Sequence, residues 1–197
     1  MEYSFQTIYL CSVDKKEQII IAAMKLLVEK GVQATPMSAI ARAAGTGMGT
    51  IYNYFATKED LINAIYLYVK QSEIALVMKS MDPGSSLKAQ FMSFYTAFIH
   101  FYLKYPESFA FIDQMQNSPV IQAGTKEAGR AAFLPVVELI QRGQKDGIIK
   151  QMELEAILFF LAGTVTTYVR WSIGASKQHQ KKQLELHLRM VWDAIKE

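Results

Sequence analysis

The sequence predicts an all-α protein with a small helical domain at its N-terminal end and a larger helical domain after it. Apolar residues recur at helical spacing almost throughout the 197 residues, and no segment alternates as a strand would. Hydrophobic residues make up 51% and charged residues 20% of the chain, which favours a folded protein over a disordered one. About nine helices are expected, near residues 15–30, 36–44, 48–54, 57–81, 86–105, 106–117, 122–146, 153–173 and 178–196.

The first three expected helices are short and closely spaced. Apolar residues from Ile19 to Leu27 form one stripe, and Gly31 suits the C-terminal cap of the first helix. Thr35 is placed to cap the second helix, and Pro36 fits its first position because proline has no N–H to lose. Gly45 ends the second helix, and the third follows almost at once.

Capping and breaking residues mark the later helices. Residues 57–60 (Thr-Lys-Glu-Asp) resemble a capping box that opens the fourth helix, and the Asp-Pro-Gly sequence at 82–84 ends it. Pro106 begins a short sixth helix that ends near residues 117–119. A single seventh helix is expected over residues 122–146.

The domain boundary is expected inside the fourth helix. This places a first domain at residues 1–60, with an irregular arm over 1–13, and a second at 61–197. Residues 1–60 contain six basic and six acidic side chains. Bulk charge therefore does not predict nucleic-acid binding by the first domain, and only local placement of groups could support it.

The second and third expected helices form a helix-turn-helix pattern, joined by the tight turn Gly45-Thr46-Gly47. In such a pair the second helix enters the major groove of DNA. Ile51 and Phe55 are four residues apart and can anchor the third helix to a core. Its remaining hydroxyl and amide side chains suit phosphates and base edges. The segment from Gly47 to Tyr54 is therefore the expected reading element for double-stranded DNA.

The segment 44–61 (AGTGMGTIYNYFATKEDL) resembles the tetracycline-repressor (TetR) family of bacterial transcriptional regulators. The resemblance covers roughly residues 15–65; beyond it, only the helical layout and length are similar. It implies phosphate contacts by Thr35, Tyr52, Tyr54 and Lys58, and base contacts by Met48, Thr50 and Asn53. The family usually has a β-branched apolar residue at Thr46 and a capping serine at Gly47, so the phosphate contact of that serine is not implied for this chain.

The resemblance also implies an effector pocket in the second domain, for a small apolar or aromatic molecule. The residues do not show this pocket by themselves, because an ordinary aromatic core would give the same pattern. The candidate pocket residues are Phe94, Phe98, Phe101, Tyr102, Phe111, Met115, Phe133, Thr164, Tyr168 and Trp171.

The family pairs two helices near its C-terminal end in a four-helix bundle, which implies a homodimer on a palindromic operator and, by default, repression. The alternative is that both helices pack only within one chain. The candidate interface residues are Leu158, Leu161, Val165, Val169, Leu184, Leu188, Val191 and Trp192.

Other classes of function have little support. His100, His179 and His187 are not spaced with a carboxylate or serine as a catalytic triad would suggest, and the last two are expected on the surface. A single cysteine cannot build a thiolate metal site. The glycines at 45, 47 and 49 follow a helix rather than a strand, so they are not a dinucleotide fingerprint. We therefore expect no catalytic residue, metal or cofactor.

Two points of regulation and location remain as expectations. A regulator without a small-molecule effector, controlled by a protein partner, is the alternative; a cavity of several hundred cubic ångströms in the second domain would favour an effector.

No apolar run reaches the length of a membrane span, and no secretory signal is recognisable, so the cytoplasm is expected. Cys11 is expected to be an inert thiol.

Overall fold

The computed structural model describes residues 14–197, apart from the side chains of residues 177–179; the expected arm at 1–13, with Cys11, lies outside the described residues. The all-α prediction is confirmed. The described residues form no β-structure beyond one antiparallel bridge between Ile149 and Lys196. The helices are α1 (Lys15–Lys30), α2 (Met37–Ala43), α3 (Met48–Tyr54), α4 (Lys58–Ser80), α5 (Leu87–Lys104), α6 (Pro106–Met115), α7 (Ala123–Ala131), α8 (Leu134–Lys145), α9 (Leu154–Ser172) and α10 (Lys177–Ile195).

The prediction of one helix over residues 122–146 is wrong, because the chain breaks between α7 and α8. Pro135 is near the N-terminus of α8. Proline has no N–H to donate, and its ring collides with the carbonyl four residues earlier, which here belongs to Ala131. α7 ends at that residue, and Phe133 caps the start of α8 with its backbone.

Local capping follows the sequence at one helix start and departs from it at another. The capping box of α4 is confirmed, since Thr57 N–H donates to the Asp60 carboxylate (3.1 Å) and Asp60 N–H donates to the Thr57 hydroxyl (3.0 Å). Thr35, however, does not cap α2. Its hydroxyl donates to the Gly31 carbonyl (2.8 Å) and lies 3.3 Å from that of Leu26, so it closes the end of α1 instead.

The chain divides into two compact units. The first comprises the described residues up to Tyr68 together with Ala110–Thr125, and the second comprises Val69–Phe109 and Lys126–Glu197. In the first unit the Asn63 side chain donates to the Val120 carbonyl (2.9 Å) and accepts from the Gln122 N–H (2.9 Å). These bonds satisfy the buried amide and tie the later segment to α4.

Aromatic side chains of α5 fill the interior of the second unit. Phe91, Phe94 and Tyr95 are almost completely buried. Their rings pack on one another, with the centroids of Phe91 and Phe94 5.0 Å apart in an edge-on arrangement. Trp192 of α10 adds its ring 5.2 Å from Phe91. The last helix of the chain is thus held by the same cluster.

A close approach between α8 and the following turn generates a first prediction. A methyl group at Gly143 would lie 2.6 Å from Cδ1 of the fully buried Ile149 and 3.2 Å from Leu87. Gly143→Ala should therefore lower the free energy of unfolding by about 1–3 kcal/mol, through overpacking. Urea unfolding followed by circular dichroism measures this loss.

Gly124→Ala is the matched control, because Gly124 also lies in a helix but has nothing within 4 Å of the added methyl. It should be neutral or stabilising by up to about 1 kcal/mol. Equal effects of the two substitutions would contradict the tight packing at Gly143.

Candidate functional site

The helix-turn-helix is built around a left-handed glycine. Gly45 has φ +58°, a conformation that a side chain rarely adopts. The turn is closed by backbone bonds, including the one from the Thr46 N–H to the Ala41 carbonyl (3.0 Å). Ile40 and Ile51 are fully buried and Ala41 is buried as well, so α2 is fixed by two apolar side chains and α3 by one. The rest of α3 is left free to face a partner.

The remaining surface of α3 carries the expected DNA-reading groups. Tyr52 and Tyr54 expose 51% and 42% of their surfaces, which is unusual for large rings and leaves their hydroxyls accessible. Asn53 is also exposed. Met48 and Thr50 are half-exposed at the start of the helix. These five side chains are therefore all available at the surface, and their roles toward phosphates and bases stay predictions.

The N-terminus of α3 departs from the usual capping pattern, as its sequence indicates. Gly47 is the N-cap residue, and no side chain bonds to the free amides of the first turn. Gly47 and Gly49 are exposed, and an added methyl would meet nothing within 4 Å at either. The N–H groups at this helix end are therefore open to an incoming phosphate.

Two other expected phosphate contacts lie in the interior or are engaged within the chain. Thr35 is fully buried with its hydroxyl used by α1, so the structure contradicts a phosphate contact through that group. The Lys58 ammonium donates to the carbonyls of Val32 (2.8 Å) and Thr35 (3.4 Å). Because an ammonium has three donors, Lys58 keeps capacity for one further acceptor.

Arg42 is a candidate that the sequence analysis missed. It lies exposed in the last turn of α2, the helix that crosses the DNA backbone in this motif. Residues 31–57 contain no acidic residue, and Arg42 is their one basic residue. The helix-turn-helix itself is thus locally positive although residues 1–60 are neutral. Counting charge over this shorter window would have found it.

The candidate pocket residues do not form one wall. In the second unit Phe94, Phe98, Phe101 and Tyr102 are buried along α5. Phe133 stacks on Phe98 with ring centroids 5.4 Å apart. Of the others, Phe111 and Met115 are buried in the first unit, Trp171 is 52% exposed, and Thr164 and Tyr168 lie elsewhere on α9.

An open depression of about 450 Å³ lies between α4 and α5 in the second unit. None of the ten candidate pocket residues lines it. Its wall combines short polar side chains with apolar ones, and consists of Leu76, Ser80, Met92, Ser93, Thr96, Ala97 and His100.

Thr164 and Tyr168 belong to a polar network around His187. The buried Tyr95 hydroxyl donates to the Thr164 hydroxyl (2.8 Å) and is hydrogen-bonded to Nε2 of His187 (2.9 Å). The Tyr168 ring lies 4.6 Å from the His187 ring. His187 is therefore half-buried and hydrogen-bonded, and not the freely exposed residue that was expected. Burial lowers the pKa of His187 and raises the pKa of Tyr95.

A buried ion pair on α4 was also missed. Glu73 is 3% exposed, and its carboxylate is 3.1 Å from the Lys70 ammonium. Burial raises the pKa of Glu73, while the Lys70 charge and a hydrogen bond from Tyr102 oppose that rise. In sequence, an acid three residues after a base is typical of a solvated helix face. Only the packing of α5 against α4 reveals the burial.

The two C-terminal helices expose a different apolar face from the expected one. Among the eight candidate interface residues, three are half-buried and five are buried within their own chain, namely Leu161, Val165, Val169, Val191 and Trp192. Buried side chains offer no surface to a second chain. The exposed face carries Phe159 (83% exposed), Trp171, Leu186 and Met190. α9 is apolar around most of its circumference, so its sequence does not distinguish the two faces.

The described residues contain neither a candidate metal cluster nor a candidate membrane span. Within the part of the chain that the structure describes, no group of three His, Cys, Asp or Glu side chains is arranged to hold a metal ion. No helix among residues 14–197 combines the length and apolar character needed to cross a membrane.

Two family profiles match the sequence. The profile described as "Bacterial regulatory proteins, tetR family" matches residues 19–65, which contain α2, α3 and the exposed reading face. The profile described as "Tetracyclin repressor-like, C-terminal domain" matches residues 86–196, more than half of the chain. The first match covers the same region as the sequence resemblance, and the second extends it to the C-terminal helices.

Curated relatives and solved structures agree with these profiles. The uncharacterized HTH-type transcriptional regulator YhgD of Bacillus subtilis is 27% identical over 174 residues, covering 85% of this chain and 87% of that protein. The HTH-type transcriptional repressor KstR2 of Mycobacterium tuberculosis is 21% identical, covering 80% of each. A tetR family regulator from Shewanella has the same fold, with a TM-score of 0.86, 24% identity, and 93% and 99% of the two chains covered.

The His187 network predicts a pH-dependent stability. An unfolded histidine titrates at about pH 6.5, and burial lowers the pKa of folded His187. The network's contribution is therefore complete above about pH 6.5 and is lost as the pH falls toward the lower folded value, because the unfolded chain then binds the proton more readily. Between about pH 7.5 and 5.5, His187→Gln should lose less unfolding free energy than the wild type.

Urea unfolding at fixed protein concentration across this pH range measures the difference. His100→Gln is the control, because His100 is exposed. If His187→Gln and the wild type lost stability in parallel, this half-buried histidine would not be the group responsible.

Proposed function

Because the chain belongs to the tetracycline-repressor family of helix-turn-helix transcriptional regulators, we propose that it is a ligand-responsive repressor that binds a palindromic operator as a homodimer. The observation that carries this proposal is the exposed face of α3. Two tyrosines and Asn53 lie on this face, and the buried Ile51 anchors the opposite side of the helix. Members of this family are regulators rather than enzymes, and we assign no catalytic group. Acting on DNA would place the protein in the cytoplasm.

We assign DNA reading to residues 1–60 and effector binding and dimerisation to residues 61–197. On this assignment α3 enters the major groove, with Asn53, Thr50 and Met48 toward base edges. Tyr52, Tyr54 and Arg42 would contact phosphates, which hold the helix in register. The basic groups are few, so correct spacing of two reading helices would contribute much of the selectivity.

Dimerisation would supply that spacing. We assign the interface to the face of α9 and α10 that stays exposed in one chain, including Phe159 and Trp171. Gly163 is exposed on the same helix, and a residue without a side chain allows close helix approach. Two α3 helices roughly 34–36 Å apart would read successive half-sites on one side of the duplex.

Effector response would be a shift between two populations. A ligand that binds more tightly to a state with wrongly spaced reading helices releases the operator, by its difference in affinity for the two states. α4 supplies residues to both units, since the boundary between them falls after Tyr68. It is therefore the element through which we expect the response to pass. We place the effector at the open depression between α4 and α5.

The close packing of the aromatic rings on α5 favours a second candidate. Phe91, Phe94 and Tyr95 fill the interior with one another and leave the 450 Å³ depression open at the surface. A surface depression also suits a protein partner. A regulator controlled by such a partner, without a small-molecule effector, is therefore the alternative.

The proposed DNA contacts are tested on an operator selected by the purified protein from a random-sequence library. Tyr52→Ala and Arg42→Ala should weaken binding to operator and to unrelated DNA alike, because phosphate contacts carry no sequence information. Asn53→Ala should weaken operator binding by about 1–3 kcal/mol and relax the preference at one base pair. Fluorescence anisotropy at one fixed salt concentration gives the affinities.

Arg130→Ala is the matched control for Arg42→Ala, since it removes the same charge from an exposed position in the second unit. It should leave operator affinity unchanged. Failure of the wild-type protein to enrich any sequence would refute the proposed operator recognition.

Dimerisation is tested by placing a charge on the exposed apolar face. Phe159→Glu should convert the protein to monomers, because a carboxylate cannot be buried there without a partner. Operator affinity should fall by at least about tenfold when the two reading heads are no longer linked. Light scattering after size-exclusion chromatography measures the mass. Leu134→Glu, at an exposed leucine on α8, should leave both unchanged; a dimeric Phe159→Glu protein would exclude this face.

A further inference from the structure

One ammonium group in the second unit makes two contacts typical of a cation site. The Lys70 Nζ lies 3.1 Å from the Glu73 carboxylate and 5.1 Å from the centroid of the Phe133 ring. Carboxylates and aromatic faces both attract cations, and the second contact is a cation–π interaction. The Phe133 ring is held by its stack on Phe98. The receptor groups are therefore fixed by packing.

The two members of the ion pair differ in how firmly they are placed. The Glu73 side chain is 3% exposed and also accepts a hydrogen bond from Tyr102, whereas the Lys70 side chain is 18% exposed. Lysine has a flexible four-carbon stem that can carry its charge into water. Buried ion pairs often contribute little to stability compared with apolar residues of similar size. The fixed part of the pair is thus the anion, and the exchangeable part is the cation.

We propose that Glu73, Tyr102 and Phe133 form a cation-binding subsite of the effector pocket, which the chain's own Lys70 occupies here. The effector class is then an apolar compound with an ammonium group, which displaces Lys70 into solvent. This inference deepens the proposed effector response and rests on it. It narrows the apolar or aromatic effector expected from the sequence to a positively charged one.

An anionic effector fits the same groups poorly. An anion that paired with Lys70 in place would lie beside the Glu73 carboxylate and be repelled by it. An anion that drew Lys70 outward would leave a buried carboxylate without a counter-charge, which is costly. A cation replaces one partner of Glu73 by another and avoids both costs.

The depression next to α4 offers a place for the apolar body of such a compound. Glu73, Leu76 and Ser80 lie three and seven residues apart, so they share one face of α4. Leu76 and Ser80 line the depression of about 450 Å³. Glu73 itself does not line the depression. On this proposal the apolar part of the ligand would extend from Glu73 by about one helical turn along α4 to reach that space.

Three probes with one chain length and different head groups test the charge preference. Decylammonium, decanol and decanoate are titrated into the full-length protein at about pH 8 by calorimetry, below their micelle-forming concentrations. Decylammonium should bind at least about tenfold more tightly than the other two, because only it replaces the Lys70 ammonium. Equal binding of the three probes would overturn the proposal.

Two variants locate the binding. Glu73→Gln keeps the shape of the side chain but removes its charge, and should reduce the preference for decylammonium to about threefold or less. Lys70→Met removes the internal competitor and should tighten decylammonium binding by about fivefold or more. Decylammonium, but not decanol, should also raise the Tm of Lys70→Met more than that of the wild type. A preference that survives Glu73→Gln, or a Lys70→Met protein with unchanged affinity, would contradict the assignment.

Operator binding is measured on the same preparations, so that the two proposals are separated. Decylammonium binding that depends on Glu73 supports the subsite whatever the DNA result. Loss of operator affinity on adding decylammonium, absent in Glu73→Gln, supports its role as the effector subsite. A protein that binds operator normally but shows no preference for decylammonium overturns the subsite and leaves the DNA-binding function in place.

Discussion

The packing of the aromatic rings along α5 is the constraint on which the second unit depends. Phe91, Phe94 and Tyr95 are almost fully buried and contact one another, so the interior is filled by rings at close range. Such rings bury large apolar areas and accept few alternative arrangements. α9 and α10 must present complementary side chains to this cluster; Thr164 of α9 and Trp192 and His187 of α10 do so. The faces that do not reach the cluster remain exposed.

This constraint explains two differences between the second unit and the sequence-based expectation: which face of α9 and α10 is exposed, and where the open depression lies. The apolar stripe expected at a dimer interface is used inside the chain, because the α5 cluster needs partners of its own. The face with Phe159 does not contact the cluster and stays exposed. A large ring with 83% of its surface in water is unfavourable unless another surface covers it. The open depression found in the second unit likewise lies beside α4 and not among the rings.

The helix-turn-helix of the first unit depends on fewer contacts, and these join residues that are close in sequence. A left-handed Gly45, two buried isoleucines and a chain of backbone bonds are enough to set α3 against α2. The side chains of Lys58 and Thr35 donate to backbone carbonyls of the segment between α1 and α2 and so stabilise it. The sequence resemblance implied DNA contacts for both residues; the structure uses the Thr35 hydroxyl inside the chain, whereas the phosphate contact of Lys58 stays a prediction. The exposed surface of α3 is small, free of acidic residues and carries hydroxyl and amide groups.

The sequence by itself determined the helical class, most helix ends, the helix-turn-helix and the membership of its family. These features depend on short-range rules: apolar period, capping residues, and glycine or proline at fixed positions. Even the break between α7 and α8 has a local cause in Pro135. Tertiary structure alone decided which face of α9 is buried, that His187 joins Tyr95, and that Glu73 loses contact with water. Burial depends on which distant segment packs against a side chain, and one helix's residue pattern does not contain that information when several of its faces are apolar.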